Sequence, residues 1–283
     1  MAALAVIGIF SLSILKRDPQ RKKSFVTKTT LRVVAVTGTI SVASLTLQMT
    51  ALRYTAASNA SFIMCTYTMI MPCLAALIFK EPIRKVQIWG LFFCFLGTAL
   101  ISRVIGFEGG LHIGLDGLGF GDALMAACAI MAAVQSLAVS RLRKFKVDPL
   151  GFVLSQNAYC FLVCTLSWVL IFRGARADFG NLPAMLGILY NGVLGSGVVY
   201  IIYSHIMPQL SPATAGLILA CEPVFTTFAA SIIPILGKTE PIGVIQVVGG
   251  TLILGTIIVV QEIMNKQNAA AAPPESETAE TAV

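Results

Sequence analysis

The sequence predicts an all-α polytopic membrane protein, with nine transmembrane helices arranged as two inverted repeats. Three observations lead there. Hydrophobic residues make up 57% of the chain and charged residues 12%, with a mean hydropathy of +0.85. That balance excludes an ordinary soluble domain. Apolar runs long enough to cross a ~30 Å hydrocarbon core recur along the chain, and such runs are helical because every backbone group in a bilayer needs an internal partner. Finally, Glu81-Pro82-Ile83 with Gln87 and Gly90 returns at identical spacing as Glu240-Pro241-Ile242 with Gln246 and Gly249. A unit that occurs twice is the simplest reading.

Taken in order, residues 1–15 are apolar but shorter than a span requires. They have no leading basic residue and no small-residue cleavage site, so they make a poor signal peptide and are read as the far part of a first span. The basic loop 16–28 is expected against anionic headgroups. The second span, 33–52, carries Thr37, Ser41, Ser44 and Gln48 as one helical stripe. That stripe serves either helix–helix hydrogen bonding or a cavity wall. The third span, 56–79, opens on small residues and places Asn59 and Thr66 on one face. A fourth follows at 86–105.

The connector 106–121 is rich in glycine. It lacks the preceding strand and the following lysine of a phosphate loop, so it is read as an outer link between the repeats. Asp122 opens the fifth span, 119–140, where a carboxylate suits the positive end of the helix dipole. Gln135 and Ser136 interrupt that span further in. The sixth covers 150–172. The seventh, 183–207, brings Ser196, Tyr200 and Tyr203 to one face. An intramembrane serine protease is excluded here, because Leu194 replaces the first glycine of the Gly-x-Ser-x-Gly pattern and His205 lies on the same helix as Ser196. The eighth and ninth spans are 212–236 and 241–261, and residues 263–283 form an Ala/Pro/Glu-rich tail expected to be disordered.

Charge sets the orientation. Alternate loops hold fifteen of the twenty basic residues, leaving Arg53, Arg103, Arg173, Arg176 and Lys238 on the other side. By the positive-inside rule the fifteen are cytoplasmic. The C-terminus is then inside and Met1 outside, which requires nine spans. Glu81 and Glu240 are separated by five of them, so the repeat is inverted. The net charge of +7 thus reflects membrane orientation rather than nucleic-acid binding. All seven cysteines lie in apolar runs without a Cys-x-x-Cys, which predicts small buried hydrophobes and neither a metal site nor a disulfide.

Glu222 lies ten residues after Pro212, roughly 15 Å along a helix and about half of the hydrocarbon core. An ionised side chain there costs on the order of 3 kcal/mol, so it is expected to face a protein interior or a water path. Pro223 withholds a helical hydrogen bond beside it and predicts a kink. Two readings follow: a protonated Glu222 that only packs, or a proton-coupling carboxylate with Thr226, Tyr200 or Tyr203 as partners. Gln48, Asn59, Thr66, Gln135, Ser196, Tyr200, Tyr203 and Glu222 are the candidate substrate-binding residues, expected around a common midplane cavity. Inverted repeats, an interrupted helix and polar groups at the midplane form the pattern of alternating-access transporters.

Ala51-Leu52-Arg53-Tyr54-Thr55-Ala56-Ala57-Ser58-Asn59-Ala60 runs into a span ending Lys80-Glu81-Pro82-Ile83. Leu210-Ser211-Pro212-Ala213-Thr214-Ala215 runs into Glu222-Pro223-Val224 and then Glu240-Pro241-Ile242. These stretches resemble EamA-type members of the drug/metabolite transporter superfamily. The resemblance implies ten helices in two inverted five-helix repeats, with a central cavity lined mainly by the third, fourth, eighth and ninth. It puts Glu222-Pro223 on the ninth-helix motif and gives Glu81 and Glu240 structural roles at helix ends. Against that pattern residues 1–15 resemble the second helix, so the first repeat is short by one. The organisation is then residues 1–105 as an incomplete first repeat, 119–262 as the second, and 263–283 as a cytoplasmic tail.

The implied function is secondary active transport of a small metabolite across the plasma (inner) membrane, with no enzymatic activity and no cofactor. Substrate and lipid bilayer are the expected partners, nucleic acid is not, and a homodimer is allowed. A lining of Gln, Ser, Thr, Asn and Tyr suits an uncharged or zwitterionic substrate. A phosphorylated sugar calls for Lys or Arg inside the cavity, whereas the basic residues lie at span edges and in loops. A non-transporting membrane scaffold, or a truncated relic of a transporter, is the alternative. The orientation is tested with single cysteines at Gly109 and Asn268 in a cysteine-free background. An impermeant thiol reagent applied to intact cells should label the first and spare the second; labelling at Asn268 would reverse the topology.

Overall fold

The computed structural model describes residues 26–55, 57–102, 104–106, 112–113, 119–170, 182–232 and 242–271. It is built from helices, numbered here in chain order: α1 Lys28–Ala51, α2 Ala57–Cys65, α3 Tyr67–Phe79, α4 Lys85–Ile101, α5 Phe120–Ser140, α6 Pro149–Leu170 and α7 Leu182–Tyr190. A π-helical stretch, Asn191–Val199, then leads into α8 Tyr200–Ile206 and a short 3₁₀ turn, Met207–Gln209. The last three are α9 Pro212–Leu219, α10 Glu222–Ile232 and α11 Val244–Ala271. A two-residue antiparallel ladder, Ile105–Gly106 with His112–Ile113, lies in the glycine-rich connector. Among the described residues, seven helical segments are long and apolar enough to cross a membrane, and Lys85–Ile101 is a shorter apolar helix. The span expected at residues 1–15 lies outside the described residues, as does Glu240.

Local chemistry sets the helix starts. Thr27 Oγ1 accepts from the Thr30 amide at 3.1 Å while Thr30 Oγ1 accepts from the Thr27 amide at 3.2 Å. This reciprocal cap starts α1 at Lys28, five residues ahead of the expected apolar run. Ser211 caps α9 through the Thr214 amide at 3.2 Å. Asp122 Oδ2 accepts from the Gly119 amide at 3.0 Å and its Oδ1 from the Thr55 hydroxyl, so the carboxylate expected at the dipole also ties α5 to the end of α1. The two repeated glutamines do the same job: Gln87 Oε1 accepts from the Arg84 amide at 3.1 Å, and Gln246 Oε1 from the Gly243 amide at 2.8 Å.

Two expected continuous spans are broken. The span 56–79 divides at Thr66, and the span 212–236 divides at Ala220 and Cys221. The second break corrects the expected position of the kink. Glu222 opens α10 rather than sitting inside a helix, and Pro223 is its second residue, where a missing N–H costs nothing. In the first, Pro72 inside α3 cannot donate to the Thr68 carbonyl four residues back. That carbonyl lies against Gly216, where a Cβ would collide with it. The two broken spans therefore cross at close range.

Large apolar side chains cover much of the outside, while several polar ones are buried among the apolar residues of the interior. Leu77 is 79% exposed and Val244 81%, whereas Thr37, Gln87, Thr98 and Gln156 are each at most 4% exposed, which suits lipid as the surrounding solvent. The main apolar cluster gathers Val34, Met71, Leu137, Phe152, Met207 and Ala215 from α1, α3, α5, α6, the 3₁₀ turn and α9. Helices α4 and α11 pack antiparallel. Arg84 Nη1 donates to Gln267 Oε1 at 3.4 Å at one end, and Gln246 Nε2 to the Ile101 carbonyl at 3.5 Å at the other. Between them a Cβ at Gly97 would lie 2.8 Å from the Gly249 carbonyl, and one at Gly249 2.7 Å from the Gly97 carbonyl. The last helix also runs through residue 271, past the tail boundary expected at 262, with Lys266 paired to Glu262 at 3.3 Å. The remainder of that tail lies outside the described residues.

Glu81 joins the end of α3 to the end of α5. Its Oε1 accepts from Arg141 Nη1 at 2.5 Å and from Lys144 Nζ at 3.2 Å, and the Arg141 guanidinium lies 4.1 Å over the Phe79 ring. The bond from Arg141 holds the Glu81 carboxyl below the usual carboxylate range, against the opposing effect of partial burial and with help from Lys144. A carboxylate lowered in the fold contributes stability above its unfolded value and loses that contribution as pH falls through the folded one.

Two predictions follow from this packing. Gly249→Val should destabilise the protein by about 1–3 kcal/mol through overpacking, whereas Gly255→Val, with open space around it, should be near neutral in the same thermal unfolding assay in detergent. Glu81→Gln should cost about 1–3 kcal/mol at neutral pH, because it strands a buried Arg141. The deficit relative to wild type should shrink on acidification below the ordinary carboxylate range. A deficit independent of pH would mean that the charge of Glu81 is not what matters.

Candidate functional site

Six helices bring polar side chains to one region in the middle of the membrane spans. Gln156 is the hub. It sits seven residues inside α6, ~10 Å from the helix start, and is 4% exposed. A buried amide there must spend its donors and acceptor on protein groups. Its Oε1 accepts from Thr37 Oγ1 at 2.9 Å, and its Nε2 donates to Ser41 Oγ at 3.1 Å and to the Tyr200 hydroxyl at 3.0 Å. Gln135 Nε2 reaches the same hydroxyl at 3.4 Å. The network thus links α1, α5, α6 and α8.

Tyr200 extends it sideways. Its ring stacks on Tyr203, with centroids 5.8 Å apart and planes 14° off parallel. Tyr203 and Tyr67 pack against the same apolar cluster. The Glu222 carboxylate accepts from the Tyr67 hydroxyl at 3.1 Å. Tyr67 is the first residue of α3 and Glu222 the first of α10, so the two breaks place these side chains against each other. The carboxylate remains accessible at the protein surface rather than closed over by packing.

The expected residues divide into two groups. Gln135, Tyr200, Tyr203 and Glu222 come together. Gln48 and Asn59 are half-buried, and the described hydrogen bonds do not join them to the network. Thr66 sits at the break and its hydroxyl donates to the Ile63 carbonyl at 2.6 Å. Ser196 departs from its expected stripe: it is exposed, and only its backbone carbonyl makes contact, accepting from Asn157 Nδ2 at 3.3 Å. The cause is the π-helical stretch, whose wider turn rotates residue 196 off the face that Tyr200 and Tyr203 share. Thr226, expected to help Glu222, instead donates to the Glu222 backbone carbonyl at 2.8 Å.

Gln156, Thr37, Ser41 and Tyr67 complete the cluster. The expected site set contains none of them. Gln156 was visible as an amide inside an apolar run. Tyr67 had a subtler signal: Ala60 and Ala215, in the small-residue openings of the two broken spans, are 155 positions apart, and so are Tyr67 and Glu222. Among the described residues there is no group of three His, Cys, Asp or Glu side chains able to hold a metal, and the cysteines are free thiols. The arrangement offers hydroxyl and amide hydrogen bonds, two aromatic faces and one carboxylate.

Known proteins share this architecture. An "Uncharacterized transporter" of Clostridium kluyveri is 27% identical over 91% of this chain and 81% of its own length. A second, from Archaeoglobus fulgidus, is 24% identical over 76% of this chain and 64% of its own length. "Uncharacterized transporter YyaM" of Bacillus subtilis is 23% identical over 89% and 78%. A crystal structure described only as that of a protein superposes with a TM-score of 0.71 at 14% identity, over 96% of this chain and 88% of the other, a likeness of fold alone. The EamA-like transporter family matches residues 1–103 and 119–261. The chain is an integral, multi-pass membrane protein, and with most of its length matched in these two segments it belongs to the EamA-like transporter family.

Proposed function

We propose that this membrane transporter carries a small uncharged or zwitterionic metabolite by alternating access, and that Glu222 couples proton movement to it. The observation that carries the reading is the Tyr67–Glu222 hydrogen bond, 3.1 Å long, made between the first residues of two half-helices from the two matched segments. A carboxylate at a helix break can exchange its proton partner without unwinding a helix, and broken spans meeting at a central site are what an alternating transporter uses. The antiparallel packing of α4 on α11 supports reading the two segments as inverted repeats. The nearby donors and acceptors are neutral. A substrate amine would pair with Glu222, and hydroxyl or carbonyl groups with Gln135, Tyr200 and Tyr203. Phosphorylated cargo is disfavoured because the central network holds no Lys or Arg.

The test uses protein reconstituted into vesicles loaded with a pH-sensitive dye and screened against a panel of amino acids, polyols and other neutral metabolites. Wild type should move protons with at least one of them. Glu222→Gln keeps the shape and hydrogen bonding but cannot carry a proton. It should abolish net proton-driven uptake while sparing substrate exchange. Tyr67→Phe removes a hydrogen bond to a carboxylate, worth about 1.5–3 kcal/mol, and should shift half-saturation or rate at least about tenfold. Undiminished proton-driven transport by Glu222→Gln would reduce the residue to a structural one.

A further inference from the structure

A second polar site lies away from the central network. A cavity of about 330 Å³ opens where the ends of α3 and α5 meet the starts of α4 and α9, and its walls include Glu81, Gln87, Arg141, Arg143, Lys144 and Ser211. That volume is far above the ~10–15 Å³ needed to admit one water. Three of these wall residues are cationic and one is acidic, so the carboxylate does not neutralise the cluster.

Arg141 is the informative member. It is 4% exposed, its Nη1 is bound to Glu81 and its plane rests on Phe79. Its Nε and Nη2 are buried with no hydrogen-bond partner among the described residues. The guanidinium therefore keeps charge at the cavity wall that Glu81 alone does not satisfy, which suits a phosphate-type anion. Lys144, which shares Glu81 Oε1 with Arg141 at 3.2 Å, has further donors to offer. Ser211 caps α9 at the same wall, so the positive end of that helix adds to the field.

We propose that this cavity is an oxyanion-binding site, in which Arg141, Arg143 and Lys144 hold a phosphate group supplied by a lipid headgroup or by free phosphate. Its position at four helix ends puts it at a membrane face, within reach of either source. It is distinct from the central network, so it does not make the transported cargo anionic. An anion there would bridge the α3–α4 corner of one matched segment to α5 and α9 of the other.

The experiment follows thermal unfolding of the full-length protein in nanodiscs. In one arm, inorganic phosphate is titrated against potassium chloride of equal ionic strength in phosphatidylcholine discs. In the other, phosphatidylglycerol replaces part of the phosphatidylcholine. At least one arm should raise the melting temperature saturably. Arg143 and Lys144 are exposed, so the double variant Arg143→Gln/Lys144→Gln should fold normally and weaken half-saturation at least tenfold. Lys80→Gln/Lys85→Gln, an equal charge change on residues outside the cavity wall, should respond as wild type does. A response to phosphate alone assigns a soluble anion, to phosphatidylglycerol alone a headgroup, and to both the phosphate group itself. No response in either arm, or equal losses in the two double variants, overturns the site.

Discussion

Inside a bilayer the backbone has no water to fall back on, so every withheld helical hydrogen bond must be accommodated by a neighbour. Pro72 withholds one inside α3, whereas Pro223 sits in the first turn of α10, where no helical bond is lost. The Thr68 carbonyl, deprived of its donor by Pro72, lies against Gly216, whose missing side chain lets the other broken span come that close. The break before Pro223 turns Glu222 into the first residue of a helix and brings it to Tyr67. Close packing of the two spans thus follows from the freed Thr68 carbonyl against Gly216, and the placement of Glu222 from the break at Ala220 and Cys221.

Around that crossing the protein departs from the usual soluble pattern. Many aliphatic side chains face outward, and within the apolar interior a few hydroxyl and amide groups pair with one another. Gln156 shows why that pairing is specific. Its two donors and its acceptor meet Ser41, Tyr200 and Thr37 from two other helices, and removing any partner would leave a buried polar group unpaired, which costs about 1–3 kcal/mol. The network thereby sets the rotation of α1, α6 and α8 relative to one another, and with it the direction in which the two stacked tyrosines face.

Charge is segregated by depth. The centre holds Glu222 and neutral groups, while Glu81, Arg141 and Lys144 cluster at helix ends, where a paired charge near the headgroups is cheap compared with one at midplane. That separation leaves the residues of the central network and those of the charged corner distinct from one another.

The sequence by itself determined the class of molecule, because apolar runs of spanning length admit only helices in a bilayer. It also made Glu222 conspicuous, and it carried the same Glu-Pro-Ile, Gln and Gly pattern into the starts of α4 and α11. Gln87 and Gln246 could be read as a matched pair before their identical capping roles were seen. Gln135, Tyr200, Tyr203 and Glu222 were recognisable as polar interruptions of apolar helices. Only the tertiary structure decided which of the polar residues meet. Ser196 left the site because a π-helical stretch changes the angular step that a helical stripe assumes. Tyr67 and Gln156 entered it because a break and a neighbouring helix turned them inward. Periodicity reports which face of one regular helix a residue shares, but not how two helices are rotated against each other, nor where their regularity stops.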